Sequence, residues 1–389
     1  MFDGIYDQNY YISMKKLIFR KLLKDIFVNF IIISISLSLI VWVIQAVNFL
    51  DFISEDGHGF GVYFSYTLLI FPKVFTKLFI IVFFISIFYI ILKYENNNEL
   101  IIFWTLGISK IEFIKNITKF SILMMSILIF FTTYMAPYSQ DTARSFIRNS
   151  NIDFFSSLIR EKKFIDTVSD LTFYINEQNR DKGLMTNIFL KEQKEGSKKF
   201  RIIFAKKGQL INKNGKNYFI LQEGEIFNNN TNNDFTNIKF ENFEFNLSNY
   251  TTKTTTIPKI QEINTPNMFR CFLNNGYKKK FVISRTEFIC QDGSNKVVIQ
   301  ELLKRLYLPL FLPLVAIVGS LLILQSKAKK SFNKYKFFVF SIGFFIIFAS
   351  EISIKYATAN INAAYLFFLI PIFLYFLIFF IFLKKQNNI

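Results

Sequence analysis

Six apolar blocks, each about as long as a membrane is thick, constrain this chain more than anything else in it. A hydrocarbon core of about 30 Å needs roughly 20 apolar residues to cross it as a helix. Runs of that length are read at 26–47, 62–92, 114–135, 302–324, 336–355 and 362–383. A soluble domain would bury such segments only in a very large core, so the sequence predicts an integral membrane protein. Half of its 52 Phe, within a chain that is 52% hydrophobic, lie in these blocks.

A formal charge of +18 raises the question of nucleic acid, and the distribution of the charge answers it. Lys15, Lys16, Arg20, Lys21 and Lys24 precede the first block, and Lys93, Lys110, Lys115 and Lys119 lie between the second and third or in the first two turns of the third. Lys327, Lys329, Lys330, Lys334 and Lys336 separate the fourth from the fifth, and Lys384 and Lys385 follow the sixth. These are alternate loops, whereas 48–61 has Asp51, Glu55 and Asp56 and no Lys or Arg. The positive-inside rule then places both termini in the cytoplasm and 136–300 outside, in a periplasm if the cell has one. The charge is topological, and no nucleic-acid partner is expected. The first block is too long for a signal-peptide core and lacks a small-residue cleavage site, so no cleaved leader is expected. Asn runs such as "NNNTNND" at 228–234 read as loop filler.

Between the third and fourth blocks the pattern changes to short alternating runs. "LTFYIN", "TNIFLK", "FRIIFAK", "NYFILQ" and "IKFENFEFNLS" are rich in β-branched and aromatic residues and are divided by polar turns. An antiparallel all-β domain follows, a sandwich or an open jelly roll. In its last run Phe243, Phe245 and Leu247 share a face while Ile238 and Phe240 are one residue out of phase, which predicts a bulge. The expected plan is an α-helical membrane protein in 3+3 form, with a transmembrane half at 1–138, a β-domain and return segment at 139–300 and a second half at 301–389. No internal repeat relates the halves. Residues 15–25 carry Leu17, Ile18, Leu22 and Leu23 at helical spacing, as an interfacial helix or an ordinary basic flank would. Pro72 is expected to kink the second span.

No catalytic or metal site is expected. The one His, His58 in "EDGHGFG", cannot build a His-based triad or a multi-His site alone. "GQLINKNGKN" spaces its glycines too widely for a phosphate loop, and Asn214-Gly215 within it reads as a hairpin turn. Cys271 and Cys290 both fall in the external region, where a disulfide is permitted and their pairing is open. Charges inside the spans are costly. Lys73 and Lys77 sit one turn apart after Pro72, and Glu351 and Lys355 share that spacing in the fifth span. Either they snorkel and pair internally, or they form a cationic rim for an anionic amphiphile.

The order "FRKLLKDIF", "VWVIQAVNFLDF", "ELIIFWTLGISKIEF", a β-rich domain and "ELLKRLYLPLFLPL" resembles the LptF/LptG family of lipopolysaccharide-export permeases, LptF more than LptG. The resemblance covers nearly the whole chain. It implies a bacterial inner-membrane ABC transporter in which a second, LptG-like permease pairs with this one. A cytoplasmic LptB-like ATPase dimer would carry the ATP and Mg, with no cofactor on this chain. LptC/LptA-like bridge proteins would receive lipopolysaccharide from the β-domain. The segment at about 96–107 is then a coupling helix docking on the ATPase, with Glu99, Leu100, Ile102, Trp104, Gly107 and Ser109 as its contact residues. Ile101 and Leu106 join its apolar face, and Gly107 is expected to end it. Where the family often has a basic residue near the end of the first span, this chain has Gln45 and Asn48. Substrate-contact candidates are therefore Gln45, Lys73, Lys77 and Lys355, with Glu301 and Arg305 as a helix-internal ion pair. The alternatives are a mechanotransmitting ABC permease of the MacB/FtsX kind, normally with four spans, and a membrane-anchored scaffold without an ATPase.

Overall fold

The computed structural model describes residues 3–50, 60–149, 161–168, 170–179, 184–193, 199–213, 216–229, 235–247, 250, 259–273, 280–283, 286–289, 295–357 and 361–387. Helices α1 (Asp3–Asn48), α2 (Phe60–Asn96), α3 (Leu100–Thr105), α4 (Lys110–Phe130) and α5 (Ala136–Asn149) come first. A π-helical turn, Phe131–Met135, joins the last two. After the strands come α6 (Thr265–Leu273), α7 (Asn295–Leu306), α8 (Phe311–Ser320), α9 (Phe332–Ala357) and α10 (Ile361–Asn387). Among the described residues six helical stretches are long and apolar enough to cross a membrane, three before the strands and three after. The expected helical membrane protein with an inserted β-domain is the architecture found.

The helices pack through narrow stripes. On α1 Leu22, Ile26, Phe30, Ser34 and Ser38 recur every fourth residue and are all buried, while Ile32, Ile40 and Val47 on other faces are exposed. The small serines let α2 approach closely. Farther along, Trp42 Nε1 donates to the Thr67 carbonyl at 2.7 Å and the Tyr63 hydroxyl to the Ala46 carbonyl at 2.9 Å. Gly343 of α9 lies against the Phe84 ring, where a Cβ would come within 2.1 Å of a ring carbon. Residues 15–25 do not form a separate interfacial helix: α1 runs through them unbroken, because no Pro or Gly interrupts 15–48. Helix α2 likewise continues through Pro72.

Strands β1 (Phe164–Val168), β2 (Leu171–Asn179), β3 (Leu184–Glu192), β4 (Phe200–Lys213), β5 (Lys216–Asn229) and β6 (Phe235–Asn246) form one antiparallel meander in chain order. A hairpin of β7 (Lys280–Ile283) and β8 (Thr286–Ile289) is separate. Pairing of β4 and β5 reaches Lys213 and Lys216, and Asn214 and Gly215 between them lie outside the described residues.

The phase slip expected in β6 is real, and it is not a bulge confined to one strand. In β3 the buried positions change from Met185 to Ile188, and in β5 from Leu221 to Ile226. In β6 Phe240 and Phe243 pack on the same core. Register is the same on both sides: Leu221↔Phe243 and Gly224↔Phe240 belong to one ladder, as do Met185↔Gly208 and Ile188↔Ala205. Strands β3 to β6 thus each carry the extra residue at the same row, near Asn187, Lys206, Glu223 and Glu241. Asn187 and Glu223 take positive φ there, 51° and 53°. A matched row preserves pairing while switching the inward parity, so both halves of these four strands feed one core.

Candidate functional site

Where the chain leaves for the sheet and returns from it, α2, the π-turn, α5, α7, α9 and residue 261 line a cavity of about 500 Å³. Its charged lining is Lys73, Lys77, Lys304, Arg305, Glu301 and Glu351, against apolar walls that include Ile80, Ile81, Leu308 and Ile347. Lys73 and Lys77 reach it together because they are one turn apart on α2. Glu301, Lys304 and Arg305 do so because three- and four-residue steps share a helix face.

Arg305 is the structural hub of this region. Its side chain is 3% exposed and pairs with Glu301 of its own helix at 3.3 Å. Nη1 donates to the Ile263 carbonyl and the Thr265 hydroxyl, both at 2.9 Å, and Nη2 to the Gln261 carbonyl at 3.0 Å. The guanidinium therefore fastens the returning segment to α7. The π-turn closes the same knot: Thr132 Oγ1 donates to the Arg305 carbonyl at 2.8 Å, and Thr265 Oγ1 to the Thr133 carbonyl at 2.6 Å. A π-turn widens the helix and frees carbonyls for such partners. Beside it, Arg144 of α5 meets Glu262 at 2.7 Å, each side chain 7% exposed. Burial pushes the Glu262 carboxyl up, and the Arg144 guanidinium draws it back. Cys271 of α6 is disulfide-bonded, and Cys290, like His58, lies outside the described residues.

The expected site residues separate. Lys73 and Lys77 line the cavity, and Lys73 Nζ donates to Gln261 Oε1. Glu301 and Arg305 form the anticipated pair, but as part of a buried knot rather than an isolated helix pair. Gln45 and Lys355 lie away from the lining; Gln45 is half-buried near the end of α1 and Lys355 is exposed on α9. Lys304 was not expected, although its place between Glu301 and Arg305 in "ELLKR" puts it at the three-residue step from Glu301.

At the other end of α2 the short apolar segment folds as α3, six residues rather than the anticipated 96–107. It is shorter because α2 persists to Asn96 and Asn98 turns the chain at φ 63°. Leu100 and Phe103 are buried, and Ile101 and Ile102 are 54% and 49% exposed. Trp104 is half-buried against Phe103 and Phe113. Gly107, at φ 63°, ends the helix as expected: its N–H donates to the Trp104 carbonyl, and that of Ile108 to the Phe103 carbonyl, both at 3.0 Å. This is a Schellman closure, with Ile108 and Phe103 as its buried contact. Ser109 has a different task, since its hydroxyl accepts from the Glu112 N–H at 3.1 Å and caps α4. Glu99 lies 3.7 Å from Lys21 of α1.

Comparison with known proteins agrees with this layout. The uncharacterized protein RP871 of Rickettsia prowazekii (strain Madrid E) is 23% identical over 234 residues, which are 60% of this chain and 64% of that protein. The match therefore spans somewhat less than two thirds of the relative's length. The family described as lipopolysaccharide export system permease LptF/LptG matches residues 20–385. With its six spans, inserted strands and nearly full-length match, the chain belongs to the LptF/LptG family of lipopolysaccharide export permeases.

Proposed function

We propose that this chain is one wall of a two-permease ABC exporter that extracts lipopolysaccharide from the inner membrane and passes it to a periplasmic bridge for outer-membrane assembly. The observation that carries this reading is the pairing of a cationic cavity at one end of the bundle with a rigidly closed, partly exposed apolar helix at the other. Helix α3 is the lever. Ile101 and Ile102 offer apolar surface to a cytoplasmic ATPase dimer, which carries the ATP and Mg, while Leu100 and Phe103 anchor the helix in the bundle. Glu99 exchanges its loose contact with Lys21 for a basic residue of the motor. Trp104 and Gly107 hold α3 in place, and Ser109 fixes the start of α4.

Motor closure pushes on α3, and the bundle passes between two packings, one open sideways to lipid and one collapsed. The exposed faces of α1 and α9, with Ile40, Val47, Phe345 and Phe348, form the side open to acyl chains and to the second, LptG-like permease. Lys73 and Lys77 attract the lipid phosphates; Gln45 and Lys355 contact cargo outside the cavity. The β-domain, on the periplasmic side with both termini on the cytoplasmic one, shelters the acyl chains and hands them to LptC/LptA-like proteins.

Affinity purification from native membranes in mild detergent tests this reading. Mass spectrometry is expected to find a nucleotide-hydrolysing chain, a second permease and lipopolysaccharide bound. Recovery of the intact chain with no ATPase and no glycolipid would favour the scaffold alternative.

A further inference from the structure

Resting on the lipopolysaccharide reading, we infer that Lys77 of α2 and Lys304 of α7 form a lipid-phosphate clamp inside this single subunit. In this assignment Lys304 is a binding residue, and Lys73 plays the lesser part.

The argument is one of which charges are already satisfied. Arg305 spends four of its five N–H groups on Glu301, Thr265 and the carbonyls of Ile263 and Gln261, and its side chain is buried, so it is committed to the knot rather than to a ligand. Glu301 is the counter-charge of that knot. Lys73 is tethered to the side chain of Gln261. Among the described residues Lys77 and Lys304 have no ion pair, and they come from different spans to line the same cavity. Both ammonium groups line one space, and an anion placed there is attracted by each. A phosphate is the lipid group that accepts from both at once. A volume of about 500 Å³ suits a headgroup phosphate with its sugar or glycerol, and leaves acyl chains to the exposed helix faces outside.

Glu351 lines the same cavity from α9 and has no ion pair among the described residues. It opposes an anion there. The clamp consequently makes two predictions of opposite sign: removing a lysine weakens binding, and removing this carboxylate tightens it.

The complex purified with its copurifying subunits is stripped of lipid and titrated with three probes, and bound lipid is quantified by mass spectrometry. The probes are bisphosphorylated lipid A, lipid A with both phosphates removed, and phosphatidylglycerol. Lys77→Gln and Lys304→Gln are each expected to weaken binding of bisphosphorylated lipid A about tenfold, the loss of one charge-assisted hydrogen bond. Lys304→Arg should retain it, Glu351→Gln should tighten it several-fold, and Lys334→Gln at the far end should change nothing. Melting curves in detergent confirm that each variant is folded. Phosphatidylglycerol that competes equally makes the ligand any lipid phosphate, and failure to compete assigns the clamp to the glycolipid; both sustain it. Equal binding of the dephosphorylated probe, or unchanged affinity in both lysine variants, overturns it while leaving the permease reading intact. A wild-type complex that binds neither form of lipid A defeats the permease reading itself.

Discussion

The two ends of the helical bundle treat charge in opposite ways. Near the sheet, Arg305, Arg144 and Glu262 are almost completely buried and joined by short contacts across segments more than 40 residues apart. Near α3, Lys21–Glu99 and Lys15–Glu112 are looser, at 3.7 and 3.5 Å, and partly exposed. A buried pair adds little net stability when made but is costly to break, whereas an exposed pair can change partners almost freely. One end is therefore fastened and the other left available, as the proposed coupling of α3 to a separate motor requires.

Arg305→Met should sharpen this contrast most. It leaves Glu301 and two carbonyls without their donor, and unfolding in detergent is expected to show a loss of about 3–5 kcal/mol. Arg144→Gln comes next at about 3 kcal/mol, with a pH signature. Burial already pushes Glu262 up, and without Arg144 it rises further above its unfolded value. A raised carboxyl favours the folded state at low pH, so the deficit should shrink as pH falls from neutral towards the carboxylate range. Glu262→Gln strands an arginine that cannot shed its proton and removes the raised carboxyl itself, so its deficit should instead grow as pH falls over the same range, as melting curves at several pH values would show. Gly107→Ala, which forces a side chain into the left-handed region, should cost about 1 kcal/mol by the same unfolding assay. Lys21→Gln, at the exposed pair, should cost less than about 0.5 kcal/mol. Equal losses at the two ends would remove the distinction.

Much of this was legible in the residues. Span lengths and alternating runs depend on local periodicity, and they predict six helices and an inserted sheet. Gly107 announces its turn because positive φ favours glycine. The one-residue phase change between Phe240 and Phe243 is visible too, but its repetition in β3, β4 and β5 depends on alignment between strands and emerges only when they pair. The candidate site was legible in part. Lys73 and Lys77 advertise themselves as costly charges in an apolar run, whereas Lys304 hides in an ordinary amphipathic stretch. The buried knot joins α5, the π-turn, 259–265 and α7, contacts that no local pattern encodes. Gln45 and Lys355 rest on the family resemblance, which matches places along a span and does not say which way a side chain faces.

The central claim is that α3 conveys a motor's movement to a lipid held at the opposite end. Its most direct test places a photoreactive residue at Lys73 in the reconstituted native complex and measures glycolipid crosslinking before and after ATP, with Glu99 intact or changed to Lys. The account predicts that ATP empties the crosslink in the first complex and leaves it unchanged in the Glu99→Lys complex. Equal ATP-driven loss from both would contradict it.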